Sequence, residues 1–112
     1  MVYTTSETAN IINPIAEKHN LKAVFLFGSY ARGVAKETSD IDLLVDTTGT
    51  ALKGLFALGA LYCELEEALG KKIDLITESA LEQKGQMPSE ESFCETIKRE
   101  RIKIYDKTGT TN

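Results

Sequence analysis

The apolar residues near the start of the chain recur at the three- and four-residue spacing of an amphipathic helix. Thr4 and Glu7 precede them and have the form of a capping box, in which each residue hydrogen-bonds the backbone of the other. We therefore predict a first helix from Thr5 to His19. Pro14 lies inside it, so the helix is either kinked there or restarted, with Asn13 as the cap of a second piece.

Three short apolar runs have the composition of β-strands instead. They extend from Leu21 to Gly28, from Asp40 to Asp46 and from Lys72 to Thr77. Near the C-terminus, Ile102 and Ile104 alternate with polar residues, a pattern that indicates a further strand at the edge of a sheet.

The segment from Ala51 to Gly70 has the length of a helix and is apolar around much of its circumference. Such a helix is buried on more than one side, either in its own core or against another chain. In the second interpretation the chain self-associates or binds a helical partner. After the third strand, the pattern predicts a short helix ended by Gly85, a loop closed by Pro88 and Ser89, and a C-terminal helix through Phe93.

The chain has 112 residues, enough for one compact core, so we predict a single domain over residues 1–106 and a flexible tail over residues 107–112. Its net charge of -4 provides no positive field for a long nucleic acid, although a free nucleotide can be held by a local site. No signal peptide or membrane span is visible, and we expect a cytoplasmic protein. Cys63 and Cys94 belong to no metal-binding or disulfide pattern and are expected to be reduced and buried.

Two aspartates on one predicted strand need an explanation. Asp40 and Asp42 are two residues apart, so their side chains share a face at about 6.6 Å along the strand. Like charges held together repel, and a shared proton or a bound cation relieves the repulsion. Mg²⁺ prefers carboxylate oxygens. If the strand of Asp74 lies alongside, three carboxylates could hold two metal ions for phosphoryl or nucleotidyl transfer, with Asp74 also a candidate base.

The loop before this pair has the features of a phosphate site. Gly28 allows close backbone approach, Ser29 offers a hydroxyl and an amide, and Arg32 carries a planar fork of donors. The alternative for Arg32 is a solvated loop position. For Asp40 and Asp42 the alternative is a position at an exposed strand end. For Asp74 the alternative is an ion pair with a neighbouring lysine.

The stretch "GSYARGVAKETSDIDLLV", in which ten residues separate Ser29 from Asp40, resembles the signature of the polymerase-beta-like nucleotidyltransferases. The length of the chain and the later "KKIDLI" resemble the minimal nucleotidyltransferases (MNT), the MntA-like antitoxins of HEPN/MNT toxin–antitoxin pairs. The similarity runs from the first helix through the third strand.

The resemblance implies an α/β (α+β) fold, with a small mixed sheet, helices packed on one face and an active site on the other. It implies that Gly28 and Ser29 grip the triphosphate of ATP; Arg32 is a candidate phosphate ligand from its own chemistry. It also implies that Asp40, Asp42 and Asp74 hold Mg²⁺. Antitoxins of this kind transfer AMP to a tyrosine of the partner HEPN toxin.

Two other functions fit the same residues. The chain could be an antitoxin that inhibits its partner by binding alone, or it could modify a small molecule such as an aminoglycoside. The basic run from Lys98 to Lys107 is either a solvated face or a contact for an acidic partner.

Overall fold

The computed structural model describes residues 2–48, 54–85 and 91–107, and this part of the chain forms four strands and five helices. In chain order the elements are α1 (Thr5–Lys18), β1 (Ala23–Phe27), α2 (Gly28–Ala31), β2 (Ile41–Asp46), α3 (Gly54–Leu69), β3 (Ile73–Thr77), α4 (Glu78–Gly85), α5 (Glu91–Glu100) and β4 (Ile102–Asp106).

The strands form one mixed sheet in the order β3-β2-β1-β4. β1 pairs antiparallel with both β2 and β4, whereas β2 and β3 run parallel. The mixed sheet is therefore confirmed, and β4 lies at its edge as the alternation of Ile102 and Ile104 predicts.

The capping box of the first helix is confirmed. The Thr4 hydroxyl accepts a hydrogen bond from the Glu7 amide at 3.0 Å, and the Glu7 carboxylate accepts one from the Thr4 amide at 2.8 Å. α1 continues through Pro14 as one helix, so a second piece capped by Asn13 is wrong.

One face of the sheet carries the larger core. The β2 residues Ile41, Leu43 and Val45 point to this face and are fully buried. They pack with side chains from α1 and α3 and from β1, which contributes Val24 and Leu26. The alternation along β2 therefore places its aspartates on the opposite face.

The opposite face is also partly covered by helices, which differs from the prediction of a single helical layer. Phe25 and Leu44 point to this face and are buried against Leu81 of α4 and Cys94 and Ile97 of α5. Large apolar side chains on that side of the sheet need a cover to be removed from water, and α4 and α5 supply it.

The outer surface of α3 is exposed. Leu61, Leu65 and Leu69 of this helix are buried, but Phe56 is 93% exposed and Cys63 is also exposed. Among the described side chains of α3, those that are buried thus lie on one side of the helix, whereas the prediction was burial on more than one side. The prediction of a buried thiol holds for Cys94 and is wrong for Cys63; both are free.

Two of the five basic residues in the run from Lys98 to Lys107 form ion pairs within the chain. Nη1 of Arg101 donates hydrogen bonds to both carboxylate oxygens of Glu78, at 3.1 and 3.0 Å. The guanidinium carbon of Arg101 lies 4.0 Å from the centre of the Phe25 ring. Lys103 pairs with Asp106 at 2.8 Å. These contacts favour a structural role for that part of the run.

Some predicted features lie outside the described residues, namely the beginning of the long helix at residues 51–53, the loop with Pro88 and Ser89, and the tail from residue 108. The helices that are described are all too short or too polar to cross a membrane.

We expect Leu81→Ala to lower the free energy of unfolding by about 2–4 kcal/mol, because Leu81 is fully buried between α4 and the second face of the sheet. Urea denaturation measures this change. Phe56→Ala, which removes an exposed ring, is the control and should change the free energy by less than about 0.5 kcal/mol. Equal values for the two variants would contradict the packing of α4 on this face.

Candidate active site

The site begins where β1 passes directly into the short helix α2. Gly28, the first residue of α2, has a φ of +72°, a conformation that favours glycine. A Cβ at this position would also clash with the carboxylate of Asp42, which lies opposite Phe27 in the antiparallel pair. Glycine is thus required here for two reasons, and the backbone can approach the carboxylate closely. Ser29 follows in α2 and is partly buried.

Asp42 and Asp74 are direct neighbours across the parallel pair of β2 and β3. The prediction that the strand of Asp74 lies beside that of Asp42 is confirmed. Asp40 is exposed just before β2 begins, and Asp74 is exposed on the edge strand, whereas Asp42 between them is partly buried. Lys71, one of the lysines that the sequence offers as a partner for Asp74, donates a hydrogen bond to the backbone carbonyl of Glu37 at 2.7 Å.

The electrostatics of the site centre on Asp42. The pKa of this carboxyl is raised from its ordinary value to about 6, first by burial and then by the negative charges of Asp74 and Asp40, while Arg32 opposes the shift. Such an environment disfavours the ionised carboxylate. It is expected where a bound cation, and not a protein side chain, compensates the negative charge.

A pocket of about 280 Å³ opens beside Asp42. Its walls come from the end of β1, from α2, from β2 and from one face of α5. The lining residues are Phe27, Gly28, Arg32, Asp42, Phe93, Thr96, Ile97 and Glu100. Across this lining, the Arg32 guanidinium meets the Glu100 carboxylate at 3.4 Å, with both side chains in contact with solvent.

A second pocket of about 330 Å³ lies on the side of β3. It is lined by Phe27, Asp74, Leu75, Ile76, Ala80 and Phe93. Two of these residues, Phe27 and Phe93, also line the first pocket. The structure therefore brings Gly28, Arg32 and Asp42 into one pocket and Asp74 into the adjoining one.

The carboxylates suit a magnesium ion by their chemistry. In residues 2–48, 54–85 and 91–107, no three His, Cys, Asp or Glu side chains are gathered tightly enough to form a metal site as they stand. However, Asp40 and Asp74 are near enough to Asp42 to raise its pKa, and carboxylate oxygens are the ligands that Mg²⁺ prefers. The donors present thus fit a magnesium ion that compensates their repulsion.

The sequence pattern does not indicate that α5 contributes to the site. Phe93, Thr96 and Glu100 lie on one face of this helix at spacings of three and four residues and line the first pocket. The amphipathic pattern of α5 identifies a face that is turned inward, but it gives no sign that this face meets Asp42.

A mixed sheet in which strand carboxylates face a Gly-Ser turn defines a site of the nucleotidyltransferase class. The model of the nucleotidyltransferase domain family matches residues 9–104, and the chain belongs to this family.

Relatives agree with this assignment. The chain is 47% identical over 76 residues to a protein of Methanocaldococcus jannaschii that carries the provisional name of protein adenylyltransferase, with 68% of this chain and 80% of the relative covered. It is 39% identical over 67 residues to the protein adenylyltransferase MntA of Thermococcus cleftensis, with 60% of this chain and 66% of the relative covered.

Solved structures share the fold. A chain in a toxin–antitoxin complex with AMP-PNP superposes with a TM-score of 0.65 at 23% identity, covering 88% of this chain and 73% of the other. A chain in the complex of tri-AMPylated Shewanella oneidensis HEPN toxin with MNT antitoxin gives a TM-score of 0.62 at 19% identity, covering 92% and 73%. The predicted nucleotidyltransferase fold is confirmed.

We expect Asp42→Asn to stabilise the metal-free protein above pH 7. A folded-state pKa of about 6, above the ordinary 3.8, means that the folded state holds its proton more tightly. The contribution of this tighter proton binding to the free energy of unfolding is present at pH 4 and is lost as the pH rises through 6. The asparagine variant cannot undergo this loss. It should gain about 1 kcal/mol at pH 7.5, a value reduced for solvent screening of a partly exposed group, and nothing at pH 4.

Urea denaturation in EDTA at the two pH values measures this difference. Asp46→Asn, at the other end of β2, is the control. It measures how the free energy of unfolding changes when a carboxylate is lost from this strand away from the site. A wild type that is more stable than Asp42→Asn at pH 7.5 would contradict the repulsion inferred at the site.

Proposed function

We propose that this chain is a magnesium-dependent nucleotidyltransferase that moves AMP from ATP to a hydroxyl group, that of a tyrosine in a partner HEPN toxin, and that it acts as the antitoxin of the pair. The observation that carries the proposal is the placement of Asp42 beside Asp74 in register, with Gly28 against the Asp42 carboxylate. Relatives named protein adenylyltransferase and solved complexes of similar fold with HEPN toxin support it.

The nucleotide is assigned to the first pocket. Gly28 lines this pocket and lets the backbone come close to a bound group, Ser29 offers a hydroxyl and an amide, and Arg32 supplies positive charge to the leaving phosphates. Asp40, Asp42 and Asp74 are the residues that would hold magnesium. When bound, the metal neutralises charge on the triphosphate and on the transition state.

The acceptor oxygen forms a bond to the α-phosphorus of ATP, and the bond from that phosphorus to the β-bridging oxygen breaks, so that pyrophosphate leaves. The proton of the acceptor hydroxyl goes to a carboxylate, for which Asp74 is the candidate because it lines the pocket that adjoins the one assigned to the nucleotide. The tyrosine acceptor is what the family resemblance implies, and solved toxin–antitoxin complexes of similar fold support the antitoxin role.

One observation favours a second function, inhibition by binding alone. The outer surface of α3 exposes Phe56 almost completely, and an exposed apolar surface of this kind is typical of a contact with another protein.

We expect Asp42→Asn to reduce adenylyl transfer by about 100-fold or more, because a lost metal ligand removes several kcal/mol of transition-state stabilisation. The assay is the intact mass of a co-expressed HEPN-type partner after incubation with the chain, ATP and Mg²⁺. Asp46→Asn is the matched control and should retain transfer. A partner that stays bound and inhibited without any gain of mass, even with the wild type, would establish the binding function instead.

We also expect Glu100→Gln to tighten nucleotide binding. The Glu100 carboxylate competes with phosphate for Arg32 and repels a triphosphate in the same pocket, so its neutralisation should lower the Kd for AMP-PNP by about threefold to tenfold. Isothermal titration calorimetry measures the change. Glu95→Gln is the control, since Glu95 is exposed on α5 away from the lining residues.

The Arg32→Gln background tests whether Glu100 acts through Arg32. If it does, Glu100→Gln has a much smaller effect in that background than in the wild type. An equal effect in both backgrounds would show simple repulsion of the triphosphate.

A further inference from the structure

The outer surface of α3 is apolar and is not covered by any described part of the chain. It consists of Phe56, Gly59, Ala60 and Cys63, which recur at helical spacing and line a groove of about 600 Å³. All four residues are exposed, and Phe56 is 93% exposed. A phenylalanine ring in water costs free energy that contact with another apolar surface recovers. The outer surface of α3 is therefore a candidate interface.

Gly59 supports this interpretation from the backbone. A glycine in the interior of a helix destabilises it relative to alanine, so its presence there needs a reason. Packing within the described residues provides none, because a Cβ at position 59 would meet no atom within 4 Å. A second molecule whose backbone comes close to α3 at this point provides one.

The outer surface of α3 is complementary in shape to a copy of itself. Phe56 projects at its N-terminal end, Gly59 and Ala60 leave its centre flat, and the smaller Cys63 side chain lies towards its C-terminal end. When two such helices pack antiparallel, Phe56 of one copy lies over Cys63 of the other, and the small central residues let the helices approach. A parallel pair would place the two Phe56 rings against each other.

The charges along α3 also favour an antiparallel copy. Glu67 lies on the same side of the helix, four residues after Cys63, and is exposed. A negative charge is unfavourable near the C-terminal end of its own helix, where the helix dipole is negative. In an antiparallel pair centred between Gly59 and Ala60, Glu67 of one copy lies beside the positive N-terminal end of the other helix. A parallel pair would bring the two Glu67 carboxylates together.

We infer that the outer surface of α3 is a self-association surface, on which a second copy of this chain packs its own α3 antiparallel about a two-fold axis between Gly59 and Ala60. The contact is small, so we expect a weak dimer with a Kd of about 10–100 µM. Urea denaturation at about 1 µM protein therefore still measures the monomer. The pocket beside Asp42 lies on the opposite side of the sheet and stays open. The inference does not depend on the proposed function.

Sedimentation equilibrium at protein concentrations from about 2 to 500 µM tests the association. The wild type should change from monomer to dimer across this range. Phe56→Glu places a charge in the interface and should raise the Kd by more than about tenfold. Val34→Glu introduces the same charge at an exposed apolar residue outside α3, and this control should associate as the wild type does. Circular dichroism verifies that both variants are folded.

Cysteine cross-linking tests the orientation of the two helices. In the antiparallel pair the two copies of residue 60 face each other at the axis, whereas the two Cys63 residues are about 10 Å apart along the helices, too far for a disulfide. Oxidation with copper phenanthroline should therefore join Ala60→Cys, in a Cys63→Ser background, into a covalent dimer. The wild type and Cys63→Ser alone should remain unlinked. Efficient cross-linking of the wild type through Cys63 would overturn the antiparallel arrangement.

A further variant tests the charge contribution. Glu67→Gln should raise the Kd of the dimer by about threefold to tenfold, because each copy loses one contact with the positive end of the other helix. Glu82→Gln, which removes an exposed carboxylate from α4, is the control and should leave the Kd unchanged. A dimer that forms more tightly after Glu67→Gln would show that the carboxylates repel each other, which would overturn the antiparallel arrangement.

The remaining outcomes count against the second copy. A wild type that stays monomeric at every concentration overturns the inference, and so does an association that Phe56→Glu leaves unchanged. If a HEPN-type partner binds the wild type but not Phe56→Glu, while the chain alone is monomeric, the outer surface of α3 binds that partner instead.

Discussion

The pairing of β2 between β1 and β3 fixes the position of the central groups of the site. β2 buries Ile41, Leu43 and Val45 on one face and presents Asp42 on the other. A slip of one residue would place the carboxylate in the apolar core and expose three large side chains, so the register is strongly determined. The same register sets Asp42 beside Asp74 on one side and opposite Phe27, next to Gly28, on the other.

This arrangement concentrates negative charge at a partly buried point, and the raised pKa of Asp42 reports its cost. The rest of the fold offsets this cost through two apolar clusters, one on each face of the sheet. The second cluster also has a functional consequence. α4 and α5 are held over the sheet by Leu44 and Phe25, and in that position α5 forms one wall of both pockets while α4 contributes Ala80 to the second. Stability and the shape of the site thus depend on the same contacts.

The two most exposed phenylalanines in the described residues lie on different parts of the molecule. Phe56 is on α3, which packs on the face of the sheet that carries the larger core, whereas Phe93 is on α5, over the opposite face. A protein that contacts the outer surface of α3 therefore does not have to cover the pockets.

Most helices and strands could be predicted from the amino-acid sequence, as could the alternation that separates Asp42 from the core and the Gly-Ser pair that marks the family. Each of these features depends on residues that are close together in the chain. The strand order, the continuity of α1 through Pro14 and the exposure of Cys63 were decided by the tertiary structure. So was the meeting of Phe93 and Glu100 with Asp42, more than fifty residues earlier in the chain. Local periodicity shows that a helix has an inward face, but only the packing of the whole sheet decides what that face contacts.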